Sequence, residues 1–381
     1  DGVPDACAAG APRGSGGRSR RRLSGLDSPD RSFAGRVIAW HARAGRHDLP
    51  WQNTRDPYRV WLSEVMFQQT QVATVRAYFA RFVAELPTVA ALAAASEDQV
   101  LGLWSGLGYY SRARNLHRCA KEVVSRHGGR FPERAELLQT LPGIGRSTAA
   151  AITSLCFGER VAILDANVRR VLTRVLGFDG DLASARSERE LWSLAESLLP
   201  SEGQSPAMPR YTQGMMDLGA TVCLSKAPAC EQCPVAADCR ARAVGAPERY
   251  PVRSRKLRRT ALSQWLLWLQ RPDGAVWLER RPAPGVWAGL YSFPAFPDRE
   301  ALERAPGAWL PERADDLPVV KHVLTHKDLY LHVVRHRAAA DAAPPMAGQW
   351  FTAAQWPGLG LPAPVRQWLT QACSQPKDVD G

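Results

Sequence analysis

Residues 140–176 read T-L-P-G-I-G-R-S-T-A-A-A-I-T-S-L-C-F-G-E-R-V-A-I-L-D-A-N-V-R-R-V-L-T-R-V-L, and this stretch decides the fold. A tight Leu141-Pro142-Gly143-Ile144-Gly145 turn opens a helix of small residues, and the apolar run Val161 to Leu164 delivers Asp165 to the start of another helix. Gly143 and Gly145 let the chain turn sharply and bring bare backbone N–H groups close to an anion, which the following helix N-terminus also favours. The turn is a candidate grip on a backbone phosphate and reads no base. Glu133 to Thr140 is expected as the helix before it, which makes the segment a helix-hairpin-helix. Asp165, ahead of Ala-Asn-Val-Arg-Arg-Val-Leu, is a good N-cap. A capping carboxylate accepts backbone N–H bonds and feels the helix dipole, so Asp165 is expected to have a depressed pKa and to stay ionised.

Working outward, residues 58–67, Y-R-V-W-L-S-E-V-M-F, predict a helix that is apolar nearly all round yet carries Glu64 in its middle. Glu64 either faces solvent, as most Glu residues do, or lines an apolar pocket among Trp61, Leu62, Val65, Met66 and Phe67. In the second case desolvation raises its pKa and makes it an acid near neutral pH. A protonated Glu64 with an ionised Asp165 is the division that oxocarbenium chemistry uses: one group aids the leaving group, the other supports the cationic sugar. Gln68-Gln69-Thr70-Gln71 then breaks the apolar pattern before a helix from Val72 to Phe82. Amides at such a junction suit hydrogen bonding to base edges or an ordinary polar connection. A helix from Glu97 to Trp104 leads to Gly106-Leu107-Gly108-Tyr109-Tyr110 and then Arg112, Arg114 and Asn115. Aromatics beside arginines stack bases and hold phosphates, or pack into a helical core.

The chain has 381 residues and a formal net charge of +12, enough length for two domains and a bias toward polyanions. No apolar stretch approaches the roughly 20 residues of a spanning helix, and no secretory segment follows the basic start, so a soluble, intracellular protein without membrane contact is expected. Of eight cysteines, Cys223, Cys230, Cys233 and Cys239 crowd one short loop. In a long intracellular chain four such thiolates read as a metal site, zinc or iron-sulfur, and the spacing alone does not choose. Cys119 and Cys156, in apolar helical settings, are expected as small core residues, while Cys7 and Cys373 fall in tails.

The expected organisation is a disordered basic tail at 1–31, with Arg13, Arg18, Arg20, Arg21 and Arg22, then a helical domain at 32–240. A basic linker at 241–260, with Arg255 and Lys256 among its charges, leads to a smaller α+β domain with a mixed sheet at 261–371 and a tail at 372–381. Thr260 to Leu269 and Ala275 to Arg280 flank a Pro-Asp-Gly turn and predict a hairpin, with further strands at Lys321 to Leu324 and Leu329 to Val334.

Six motifs in this order carry a resemblance: W-L-S-E-V-M-F-Q-Q-T-Q-V at 61–72, G-L-G-Y-Y-S-R-A-R-N at 106–115, L-P-G-I-G-R-S-T-A at 141–149, I-L-D-A-N-V at 163–168, Q-G-M-M-D-L-G-A at 213–220 and the four-cysteine loop. Together they resemble the adenine DNA glycosylases of the MutY type, within the helix-hairpin-helix superfamily of base-excision repair. The resemblance implies a monofunctional enzyme, acting as a monomer on double-stranded DNA, that flips out and hydrolyses adenine paired with 8-oxoguanine or guanine. Such an enzyme would work in the cytoplasm of a prokaryote at the nucleoid, or otherwise in a nucleus or mitochondrion.

It further implies that Glu64 protonates adenine and later serves the attacking water, and that Asp165 stabilises the oxocarbenium ion. Tyr109 and Asn167 would support them. Trp51 and Gln213 would line the adenine pocket, Gln69 would insert near the mispair, and the four cysteines would hold a 4Fe-4S cluster. Related enzymes that also cut the backbone carry a lysine where this chain has Ser147, and without that amine the chemistry stops at base removal. Position 169, a lysine in some adenine glycosylases, is arginine here.

The second domain resembles the Nudix-like 8-oxoguanine recognition module through Gly285-Val286-Trp287-Ala288-Gly289-Leu290-Tyr291-Ser292-Phe293-Pro294, without the acidic helix of true Nudix hydrolases. Its recognition loop, usually Phe-Ser-His, reads Leu324-Thr325-His326, keeping hydroxyl and imidazole donors but not the ring. Two other readings are a catalytically silent, cluster-bearing DNA-binding protein and a Nudix-type hydrolase with a DNA-binding appendage. The intact carboxylate pair argues against the first and the missing acidic helix against the second.

Overall fold

The helix that carries Glu64 is central because its sequence is apolar nearly all round, with Arg59 its one exposed residue. In the computed structural model, which describes residues 32–201, 207–254, 258–304 and 314–374, it runs from Pro57 to Phe67 as α2, after α1 at Phe33–Ala44. The expected basic tail at 1–31, Arg255 and Lys256 of the linker, and most of the tail at 372–381 lie outside the described residues. Asp56 caps α2, accepting from Tyr58 N at 3.0 Å, and Pro57 occupies the first turn, where its missing N–H costs nothing. Trp61, Leu62 and Met66 are fully buried, each stabilising the fold by about 1.5–3 kcal/mol.

Around α2 pack α3 (Val72–Glu85), α4 (Val89–Ala94), α5 (Glu97–Trp104) and α6 (Ser111–His127). Arg112 of α6 is buried and donates to the carbonyls of Val65 at 3.0 Å and Met66 at 2.9 Å, to the Gln68 carbonyl, and to Thr70 Oγ1 at 3.1 Å. It thus satisfies the orphan carbonyls at the end of α2. The arginine that reads in sequence as a phosphate holder is a clamp that shapes the Gln68-Gln69 turn.

The hairpin is α7 (Ala135–Leu138), the turn, and α8 (Arg146–Phe157). The first helix is shorter than expected because Arg134 is extended at φ −112°, ψ 133°, and the Glu159 carboxylate caps it from outside, accepting from Ala135 N at 2.8 Å. Gly143 sits at φ +78°, and a Cβ there would come 2.7 Å from Asn115 Cβ, so only glycine fits. Gly145 is ordinary extended backbone at φ −85°, and nothing lies within 4 Å of a Cβ built there.

A second core joins α1, α9 (Ala166–Leu176), α10 (Ala185–Ser197) and α11 (Met208–Thr221). There α11 presses its Gly219 against the start of α9, where a Cβ would stand 2.6 Å from Asn167 Cβ. Within the expected linker, α12 (Arg240–Ala243) and a 3-10 turn at Pro247–Arg249 fold back on the helical region, and Val252 O accepts from Leu182 N at 3.1 Å.

The second region is an α+β layer built on β1 (Thr260–Gln270), β2 (Val276–Arg280), β3 (Tyr291–Ser292) and β4 (Ala295–Phe296), then α13 (Arg299–Arg304). It continues through β5 (Asp315–Asp316), β6 (Val320–Val323), β7 (Lys327–Arg337), β8 (Gln349–Phe351) and α14 (Ala363–Ser374). The expected hairpin is present, with Gln270 opposite Val276. The sheet is mixed, in the order β3-β2-β1-β7-β5, with β1 and β7 parallel from Thr260↔Lys327 to Gln270↔Arg337. Leu329, Leu331 and Val333 alternate onto one face and bury against Val365, Trp368 and Leu369 of α14.

The two regions meet along α5, the loop after it and the start of α6. Arg280 pairs with Glu97 at 3.1 Å and Asp98 at 3.3 Å, and Arg114 donates to Ala288 O at 2.6 Å. Ser105 Oγ donates to Leu361 O at 3.0 Å. No described helix is long and apolar enough to cross a membrane.

Candidate active site

Between the two helical cores opens a cleft of about 1030 Å³, lined by Trp51, Gln52, Glu64, Asp165, Asn167 and Gln213 among others. Each wall has a local cause. Glu64 comes from the middle of buried α2, and its carboxyl opens on the cleft, with no hydrogen bond or ion pair to hold it among the described residues. Burial pushes its pKa from the ordinary 4.5 up to about 8, and the Asp165 charge adds to the shift. Of the two sequence readings, the desolvated acid is the one the structure adopts.

Asp165 faces it from the N-terminus of α9. As expected, it is an N-cap, accepting from Val168 N at 2.7 Å. The expected depressed pKa is not found. Burial raises it, and the bonds from Val168 and Asn167 with the charges of Arg170 and Arg169 oppose that rise without cancelling it. Glu64 and Asp165 are therefore two carboxyls in one desolvated space, each favouring a single shared negative charge. Glu64, which lacks donors, keeps the proton.

Asn167 lies beside Asp165, its Oδ1 accepting from Arg170 at 2.9 Å. Gln213 reaches the cleft from α11 and donates to Asp217 Oδ1 at 3.1 Å, which fixes its amide. Asp217 is fully buried; it also accepts from Arg46 N and Nε, both at 2.9 Å, and from Arg46 Nη2 at 2.5 Å. Trp51 packs edge-on against Phe67 and Phe79, with ring centroids 4.9 Å and 5.3 Å apart. Ser147 lines the cleft at the start of α8, and its Oγ accepts from Leu164 N at 3.0 Å. Gln68 and Gln69 form the rim after α2, Gln69 exposed with φ +63°.

Tyr109 is placed elsewhere. It does not line this cleft; it is exposed, and its hydroxyl lies 2.7 Å from Thr325 Oγ1 of the sheet region, joining the two regions. His326 follows in the same loop, its carbonyl accepting from Thr260 N at 3.0 Å. Cys223, Cys230, Cys233 and Cys239 line one cavity beside α9. Cys119 and Cys156 are buried core residues, as expected, and burial pushes both thiols up to about 12.

The comparisons with known proteins fall on these same elements. Residues 62–197 match the model of the HhH-GPD superfamily base excision DNA repair proteins, and residues 265–371 that of the NUDIX domain. An adenine DNA glycosylase of Buchnera aphidicola is 33% identical over 346 residues, spanning 88% of this chain and 96% of its own. The chain belongs to the adenine DNA glycosylase family. The human adenine DNA glycosylase is 46% identical over 221 residues, 55% of this chain and 39% of its own. Among solved structures, a thermostable thymine-DNA glycosylase aligns with 55% of this chain and 94% of its own, at 28% identity and a TM-score of 0.48.

Within this family fold, Gln52 is a residue that sequence reading missed. Both its amide atoms are buried at the cleft wall without a hydrogen-bond partner among the described residues. An unpaired buried amide costs about 1–3 kcal/mol, so it points to a ligand that would pair it. In sequence it is one glutamine in a polar loop after Leu49-Pro50-Trp51 and carries no signal.

Proposed function

We propose that this chain is a monofunctional glycosylase that removes adenine opposite 8-oxoguanine or guanine and leaves an abasic site. The observation that carries the reading is Glu64, held near a pKa of 8 in a cleft it shares with Asp165. Glu64 donates its proton to a ring nitrogen of the flipped adenine, which makes the base a neutral leaving group. As the bond to the sugar breaks, positive charge develops on the sugar, and the negative charge of Asp165 is the group placed to meet it. Glu64, now ionised, takes a proton from the water that attacks the sugar. Trp51, Gln52 and Gln213 form the base pocket, while Gly143 and Gly145 hold the strand through backbone N–H groups.

Strand cleavage needs an amine to form a Schiff base. Ser147 offers a hydroxyl already engaged with Leu164 N, and the Arg169 guanidinium is paired with Glu188 at 2.5 Å. The expected result on a duplex with adenine opposite 8-oxoguanine is strand breakage only after alkali, read on a denaturing gel. Breaks without alkali would overturn the monofunctional reading, and no product in either case the glycosylase reading. Gln52→Leu is expected to lower kcat/KM for adenine release about 10- to 100-fold, because the base loses an amide partner. It is also expected to raise stability toward urea, because an unpaired amide is gone. An unchanged kcat/KM removes Gln52 from the pocket.

The four-cysteine cavity fits a 4Fe-4S cluster. Its four sulfurs line one space, and four thiolates are the donor set that such a cluster takes. When bound, the cluster would fix the loop that follows α11 and present it to DNA. Thr325 and His326 would contact the 8-oxoguanine side, with Tyr109 beside them. We place the domains at 32–240 and 261–371, the protein acting as a monomer at the nucleoid of a prokaryote or in a nucleus or mitochondrion.

A further inference from the structure

We infer that Arg174 is the positioning residue of the cysteine site: it clamps the loop of the first ligand and supplies the positive charge that a cluster of thiolates needs nearby. The inference rests on the cluster reading above and adds a residue that the motifs do not include.

Arg174 lies on α9 and is 2% exposed, which makes it one of the largest fully enclosed side chains of the protein. A buried guanidinium stays charged and is costly unless negative charge compensates it. Among the described residues no carboxylate lies within ion-pair distance. Its donors go instead to the carbonyls of Leu224 at 2.6 Å and Ser225 at 3.0 Å, and Nη1 also points at Cys223 Sγ from 3.4 Å. Nε points at Tyr250 O from 3.4 Å, and Cys239 Sγ lies 3.5 Å from the carbonyl of Arg174 itself. The side chain also lines the cysteine cavity.

Three segments distant in sequence therefore meet on one guanidinium: helix α9, the loop of the first cysteine, and the return segment at Tyr250. The neutral carbonyls satisfy its hydrogen bonds but not its charge. The negative partner is the set of cysteine sulfurs, which carry charge only as thiolates or as ligands. In a bound cluster a fixed cation against one sulfur stabilises the reduced, more negative state and disfavours release of that ligand.

The test uses the full-length protein purified with its metal. Iron and acid-labile sulfide are assayed in the parent first, since zinc there would defeat the cluster reading whatever Arg174 does. In Arg174→Gln the visible absorbance is expected to bleach about 10- to 100-fold faster under a chelator. The reduction potential, measured by voltammetry, is expected to move to a more negative value. Arg174→Lys keeps the charge but loses the planar fork, so it should recover the potential while bleaching at an intermediate rate. Parent-like potential in Arg174→Gln, or equal potentials in the two variants, overturns the charge role, because a purely structural arginine would not distinguish them. Should Arg174→Gln not fold, a parent-like potential with parent-like bleaching in Arg174→Lys supports charge without a clamp and overturns the inference as stated.

Discussion

Glu64→Gln is expected to abolish adenine release, by about 10²- to 10⁴-fold or more, while duplex binding stays largely unchanged. The amide keeps the shape of the carboxyl but has no acidic proton to give and cannot become the base that serves the water. Helix α2 should be undisturbed, because the Glu64 side chain makes no hydrogen bond among the described residues and its neighbours Val65 and Met66 hold the helix in the core. Single-turnover kinetics on the adenine duplex, alongside a binding titration, would check this. Parent-like release would remove Glu64 from the chemistry, and lost binding would recast it as a structural group.

The same carboxyl fixes a pH dependence. Glu64 keeps its proton in the folded protein up to about pH 8, whereas the unfolded chain releases it near 4.5. A raised folded pKa means stability that is complete below 4.5 and is lost as pH rises through 8. Glu64→Gln cannot ionise, so it should melt at a higher temperature than the parent near pH 8 and show no such gain near pH 4.5. Base release by the parent should fall above pH 8, where the acid loses its proton.

The helices of this fold were legible because their signals are local. The all-apolar face around Glu64 and the Pro-Gly turn at 142–143 are written in consecutive residues, and so is the cap at Asp165. What was not legible depends on distant partners. Asp165 shows its N–H donors in sequence but not its burial, and burial outweighs them. Arg112 looks like a phosphate ligand beside two tyrosines until α6 sets it against the carbonyls that end α2. Gln52 becomes visible only when the loop before α2 is folded against α11, and Tyr109 finds Thr325 only once the sheet region is in place.

Asp165 carries two duties, and a pair of substitutions should part them. In Asp165→Ser the hydroxyl still accepts from Val168 N–H, so stability toward urea is expected close to the parent. Asp165→Ala removes the cap and should cost about 0.5–2 kcal/mol. Both lose the negative charge that meets the developing cation, so adenine release should fall about 10²- to 10³-fold in each. If Asp165→Ser releases adenine at the parent rate, the cap is the whole of its function. A second readout follows from the coupling of the carboxyls. Without the Asp165 charge, the pKa of Glu64 loses its electrostatic contribution but keeps the larger one from burial. The upper limb of the residual activity in Asp165→Ser should therefore move to lower pH without reaching that of a free carboxylate. A limb that does not move would mean that the two groups do not share the cleft as one charge.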